Sequence, residues 1–347
     1  MADILLFSQT AGYFHSISDI LQQLNFQVIN AETHPTVPHL YASYGTKEPH
    51  LLFSCEFSDN LNIKTWETSV FCFLNAFKTY LSTGHFIGKI SFLIFRKTEI
   101  FQQKKHHQLL QQILSPYLSK PDFCLISEPV AQDKDLTEIN IGGLGNIIIN
   151  LTATQPSENQ HSYPSLFSSP THNLLALLYK LKNNLLDNGT ETFSPSVLNI
   201  ISLTAHTKKL FETPDTAKAK IHIRYNTSIT PEKISSRMQN DINFTNGCFS
   251  FTTQHLSQPY ISASSKALDI LKKAIEPENT EKVQTKTDCN SELSSFIYRL
   301  SPFAELNISL NNIQITAFQK KLQELYGRFL SDFMEDKKIF NQQTSNF

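Results

Sequence analysis

The chain has 347 residues, 40% of them apolar and 18% charged, with a formal net charge of -1. That is too much chain for one compact core, so two domains are expected. The charge balance leaves no basic excess for nucleic acid and no basic face for a membrane surface, and no apolar run approaches the roughly 20 residues that cross a bilayer. Met1 to Phe7 carry no positive region, so no signal peptide is expected. Cys55, Cys72, Cys124, Cys248 and Cys289 are far apart and form no C-x-x-C. They speak against a disulfide framework and a structural zinc site, and for a reducing cytoplasm. Glycine is scarce, 10 of 347, where average usage is about 7%. Few positions are therefore open to the tight turns that active-site loops use.

In chain order, Ile17 to Leu24 place Ile17, Ile20, Leu21 and Leu24 on one helical stripe. Phe26–Ile29, His39–Tyr44 and Leu51–Cys55 read as strands, and Val70–Leu81 as an apolar helix. Ile90–Phe95 is a continuous apolar run, the pattern of a strand covered on both faces. Lys105–Leu114 reads as a helix that stops before Pro116, and Phe123–Ile126 as another buried strand. Strands alternating with helices predict an α/β domain with a mostly parallel sheet.

The pattern then changes. Asn146–Thr154 is a long alternating strand, and Gln155–Ser169 is a polar loop. A helix over Leu174–Leu186 and strands at Val197–Leu203 and Lys218–Tyr225 follow. Thr230 and Pro231 start a helix as N-cap and first residue, and Phe249–Thr252 is a further strand. This β-α-β-β-α-β order is ferredoxin-like. Helices over Ala263–Ile275 and Phe318–Met334 close the chain. The expected fold is thus a mostly parallel α/β domain, residues 1–146 and 257–347, interrupted by an α+β insertion at 147–256.

Several segments carry a resemblance. Leu40-Tyr41-Ala42-Ser43-Tyr44-Gly45 precedes Pro49-His50-Leu51-Leu52-Phe53. Asp122-Phe123-Cys124-Leu125-Ile126-Ser127-Glu128-Pro129 is similar to D-Y-C-[IL]-[VI]-G-E-P. Ile139 to Asn146 resembles I-K-N-G-R-R-G-S, and His161-Ser162-Tyr163-Pro164 with Ser169-Pro170-Thr171-His172 resembles G-H-x-A-Y-P…N-P-x-H. Ile221-His222-Ile223-Arg224-Tyr225-Asn226 resembles F-N-F-R-F-S. In this order and spacing the segments resemble the M20 metallopeptidases, in the branch that hydrolyses N-succinyl-LL-diaminopimelate to succinate and LL-diaminopimelate. The resemblance implies a zinc-exopeptidase-like catalytic-type domain, a lid that dimerises, a small-molecule substrate, and two zinc or cobalt ions. Such a pair polarises an amide carbonyl and generates hydroxide while a glutamate moves the proton.

Carried over position by position, the resemblance puts Glu56 where the family has a ligand histidine and Glu128 at a ligand carboxylate. Glu99 falls at the catalytic base, with Ile100 at a ligand beside it. His161 falls at the lid histidine, able to stabilise an oxyanion, and Arg224 at the clamp for a substrate carboxylate. The run Cys55-Glu56-Phe57-Ser58-Asp59 lacks the aspartate after the ligand, and the stretch that carries the bridging aspartate is missing between Thr68 and the helix. No histidine follows His255 to serve as the last ligand. Zinc takes about three protein ligands and a pair needs a bridge. Two readings stay open: a metal-dependent amidohydrolase with impaired chemistry, and a non-catalytic pseudoenzyme that binds or dimerises. His106-His107, adjacent on a helix, do not share a face and predict no metal site. Ser162 and the cysteines have no base at a usable spacing.

Overall fold

The computed structural model describes residues 15–34, 37–57, 63–84, 86–96, 108, 115, 120–129, 138–155, 169–184, 186–206, 214–276, 282–289, 291–308 and 315–336. Two compact units are formed. Met1–Gly142 with Ile261–Phe347 make one, and Gly143–Tyr260, inserted in it, make the other. The sequence placed the joins at 146/147 and 256/257.

The first unit opens with helix α1 (residues 15–23) and the antiparallel pair β1 (Gln27–His34) and β2 (Val37–Gly45). Strand β3 (His50–Phe57), helix α2 (Ile63–Leu81), β4 (Lys89–Arg96), β5 (Phe123–Pro129) and β6 (Glu138–Asn140) follow. The helix expected over Lys105–Leu114 lies outside the described residues.

The insertion is β7 (Gly145–Thr154), α3 (Pro170–Asn183), β8 (Val197–Ala205), β9 (Thr216–Tyr225), α4 (Pro231–Asn243) and β10 (Cys248–Ser257). Its sheet runs β10-β7-β9-β8, all antiparallel, which is the ferredoxin-like order. Alternation explains its one-sided core. Ile147, Ile149, Leu151, Ala217, Ala219, Ile221 and Ile223 point to the helices α3 and α4. Helix α3 starts four residues before the expected Leu174, because Ser169 takes the cap position and Pro170 enters the first turn with its φ already set. Thr230 caps α4, its hydroxyl accepting from Lys233 N–H at 3.3 Å.

The first unit then resumes with α5 (Lys266–Ile275), β11 (Gln284–Lys286), α6 (Glu292–Ile297), β12 (Phe303–Ile308) and α7 (Ile315–Glu335). Among the described residues its sheet has 8 strands in the order β1-β2-β4-β3-β5-β12-β6-β11. The centre, β4-β3-β5-β12, is parallel, and β1, β2 and the β12/β6 pairing are antiparallel.

The two faces of this sheet differ. Phe53, Cys55, Phe92, Ile94, Leu125 and Leu306 face the apolar core under α2, α5 and α7. On the other face a buried polar chain links Tyr41 OH to Ser91 Oγ at 2.9 Å and Ser91 Oγ to His50 Nε2 at 2.8 Å. Gly45, at φ 78°, ends β2 where any Cβ would meet the Gly88 carbonyl at 2.2 Å, so only glycine fits that approach.

Phe73 of α2 is central to the helical side. Its ring stacks on Phe53 at a centroid distance of 4.0 Å and meets Tyr326 and Phe92 edge-on at 5.3 Å each. Truncation leaves a cavity that three rings cannot refill. Phe73→Ala is expected to lower the unfolding free energy by about 3–5 kcal/mol in urea denaturation, and a loss under about 1 kcal/mol would contradict this packing.

Candidate functional site

The parallel strands β3, β5 and β12 end at one edge of the first unit's sheet, where α/β folds place functional groups. Cys55 pairs with Ser127, so Glu56 and Glu128, one residue further along, stand side by side on neighbouring strands. Asn307 of β12 is level with Glu128. The structure thus brings together the two carboxylates that the resemblance puts at metal positions. They differ in setting: Glu56 is 0% exposed, and Glu128 is half-buried.

A third carboxyl joins them. Glu305, 1% exposed, lies on β12 two residues before Asn307, level with Asn140 of β6. Both buried carboxyls are tied to the first turn of α6. Leu293 N–H donates to Glu56 Oε2 at 3.0 Å, and Ser291 Oγ donates to Glu305 Oε2 at 2.7 Å. Ser291 is also the N-cap, accepting from Ser294 N–H at 3.0 Å. Asn140 Nδ2 reaches Glu305 Oε1 at 3.5 Å. Helix α6 packs over β3, β5 and β12 in this position.

The electrostatics follow from burial. Desolvation, with the Glu56 charge adding to it, raises the Glu305 carboxyl to about 7 against the pull of the Ser291 hydroxyl. Burial raises the Cys289 thiol well above its ordinary value, and the nearby Glu305 pushes the same way.

In the inserted unit, Arg224 lies on β9, half-buried, on the sheet face away from α3 and α4. His222, two residues back on that face, bonds Asn146 Oδ1 at 2.9 Å. Burial first, and the Arg224 charge second, hold its imidazole below the usual range. Glu99 and His161 lie outside the described residues, as do Ser58, Asp59, Ile100, His106 and His107. Glu305 and Asn140 were not singled out by the sequence reading. The available signal was a charged residue inside the apolar run Phe303-Ala304-Glu305-Leu306.

No family model matches the chain. In sequence it is similar to succinyl-diaminopimelate desuccinylases. The one from Ehrlichia canis (strain Jake) is 27% identical over 271 residues, spanning 76% of this chain and 71% of that protein. The one from Ehrlichia ruminantium (strain Welgevonden) is 24% identical over 363 residues, spanning 96% and 94%. In structure it is similar to an M20 family metallo-carboxypeptidase from Sulfolobus solfataricus, with TM-score 0.66 and 13% identity over 94% of this chain and 96% of that one. A dinuclear metal-binding M20 peptidase from Bacillus subtilis gives TM-score 0.58 and 12% identity over 91% of each chain. The chain has the M20 metallopeptidase fold.

Whether this M20-fold chain can hold a metal pair is a question of donors. Among the described residues no three His, Cys, Asp or Glu side chains converge on one point. Glu56 Oε2 already accepts from Leu293 N–H. Two dications need a bridging anion and terminal donors around each. The described donor set does not fit a zinc pair.

The Glu305 carboxyl gives the unit a pH dependence. Its folded value of about 7 stands above the 4.5 of an exposed glutamate, so the folded state binds the extra proton. The stabilisation is complete below about pH 4.5, declines as pH rises toward 7, and is gone above that. Glu305→Gln keeps the shape without the charge. It should flatten the urea-measured stability between pH 5 and 8 and exceed the parent at pH 8 by up to about 3 kcal/mol. An unchanged slope would show that Glu305 does not carry this proton.

Proposed function

We propose that the chain is a desuccinylase-derived M20 protein that no longer hydrolyses succinyl-diaminopimelate through a metal pair and now serves as a dimerising, ligand-binding protein. One observation carries the reading. At the position where the resemblance puts a ligand histidine, Glu56 is sealed in the interior with its carboxylate on the α6 backbone. With Oε2 on that backbone bond, Glu56 offers a metal at most its other oxygen and cannot grip one with both. Zinc or cobalt would bind weakly, singly or not at all. The absence from the described residues of a helix long and apolar enough to cross a membrane is compatible with a cytoplasmic setting.

The ancestral reaction remains the alternative and makes the opposite forecast. Protein purified without chelator should carry less than stoichiometric zinc, measured by elemental analysis, and should show no release of LL-diaminopimelate from N-succinyl-LL-diaminopimelate with added zinc or cobalt. Two bound zinc ions together with turnover would overturn the proposal. Arg224, on the half-buried face beside His222, supports retention of a carboxylate-binding function in the lid even without catalysis.

The lid supports dimerisation through one edge. Strand β8 ends the sheet order, so one side of its backbone has no partner strand among the described residues. Ile200, Ile201 and Leu203 along it are 41%, 51% and 46% exposed. Ile200 and Leu203 pair with Ile221 and Ala219 and so lie on the helix-covered face, yet beyond the cover. Leu175 and Tyr179 extend the apolar surface along α3. A second copy adding strand to strand would satisfy the backbone and cover these side chains. Ile201→Glu with Leu203→Glu should convert the parent dimer to monomer in light scattering at tens of micromolar. A monomeric parent, or a double variant that stays dimeric, would remove this edge from the proposal.

A further inference from the structure

The first turn of α6 is held by two separate buried carboxyls. Ser291 is the N-cap, so Leu293 and Ser294 supply two of the helix's otherwise unpaired N–H groups. Ser294 N–H goes to Ser291 Oγ, and Leu293 N–H goes to Glu56 Oε2. The Ser291 hydroxyl in turn donates a hydrogen bond to Glu305 Oε2. Glu56 stands on β3 and Glu305 on β12, with β5 between them. The turn is therefore pinned from both sides of the central strands.

We infer that Glu56 and Glu305 form a metal-free tie that fixes α6 against the carboxyl end of the sheet, so that local order at this edge is independent of any bound ion. In a metal-dependent protein, ligand groups are ordered by the ion, and chelation costs stability by mass action. Here the hydrogen-bond acceptor for the helix is the side chain at the ligand position itself. The tie needs Glu56 as an acceptor and Ser291 as the relay to Glu305, and it needs no ion. The inference rests on the proposed reading that the chain holds no metal pair, and adds what Glu56 Oε2 does at this edge.

Hydrogen exchange of residues 291–297, read by mass spectrometry on the full chain, tests it. In the parent, exchange there should be the same with excess EDTA and with excess zinc. Glu56→Ala should speed it by about tenfold or more, since it leaves the Leu293 N–H without its acceptor. Glu56→Gln, which keeps an oxygen acceptor, should restore most of the protection. Glu56→Ala combined with Ser291→Ala should do less than the sum of the two, because both changes loosen one turn. Exchange that slows with zinc or speeds with EDTA would overturn the tie, as would parent-like protection in Glu56→Ala. If Glu56→Ala does not fold, the parent's response to EDTA and zinc still decides. A succinyl-diaminopimelate hydrolysis assay on the same samples separates the two claims. Turnover with protection indifferent to EDTA would sink the loss of catalysis and leave the tie standing. A metal-sensitive turn without turnover would do the reverse.

Discussion

Two carboxyl groups inside one sheet face set the terms for the carboxyl end of this fold. An ionised carboxylate removed from water is costly unless it is paired or richly hydrogen-bonded. Glu56 and Glu305 meet that cost in different ways. Glu56 accepts a helix N–H on Oε2. Glu305, with the Glu56 charge close by, is satisfied as an acid whose value rises to about 7. Two like charges so placed cannot both be comfortable, and the proton on one of them lets the pair stay buried. The position of α6 follows from this division.

A buried cluster of carboxylates is tolerable where a cation, a proton or a hydrogen-bond donor offsets its charge. At the buried end of this sheet donors reach Glu56 Oε2 and Glu305 Oε2. The apolar core lies on the opposite face. There Phe53, Phe73, Phe92 and Tyr326 interlock under α2 and α7. A scaffold held by apolar packing can lose site chemistry without losing its shape.

What the sequence made legible follows from pattern length. Leu51–Cys55, Ile90–Phe95 and Phe123–Ile126 are continuous apolar runs, and each is a central parallel strand. The ferredoxin-like insertion was visible because alternation persists over ten residues in Gly145–Thr154 and again in Thr216–Tyr225. Helix α6 was not visible: six residues complete less than two turns and leave no period to detect. Strand β12 was hidden by Glu305 itself, which breaks an apolar run of ordinary strand length. Glu56 was read from resemblance as a weakened ligand. Its geometry as a helix tie depends on a contact 237 residues away in sequence, which no local pattern encodes.

That long-range contact suits a glutamate better than a metal-bound histidine at this position. A neutral imidazole offers one acceptor and one donor. If its acceptor nitrogen is turned to a metal, its remaining N–H has nothing to give to another N–H donor such as that of Leu293. A carboxylate offers only acceptors, so it suits the end of a helix and gains from the dipole there. Removing the carboxylate would leave the Leu293 N–H buried without this partner, at a cost of about 1–3 kcal/mol, so residue 56 ties the end of β3 to the first turn of α6.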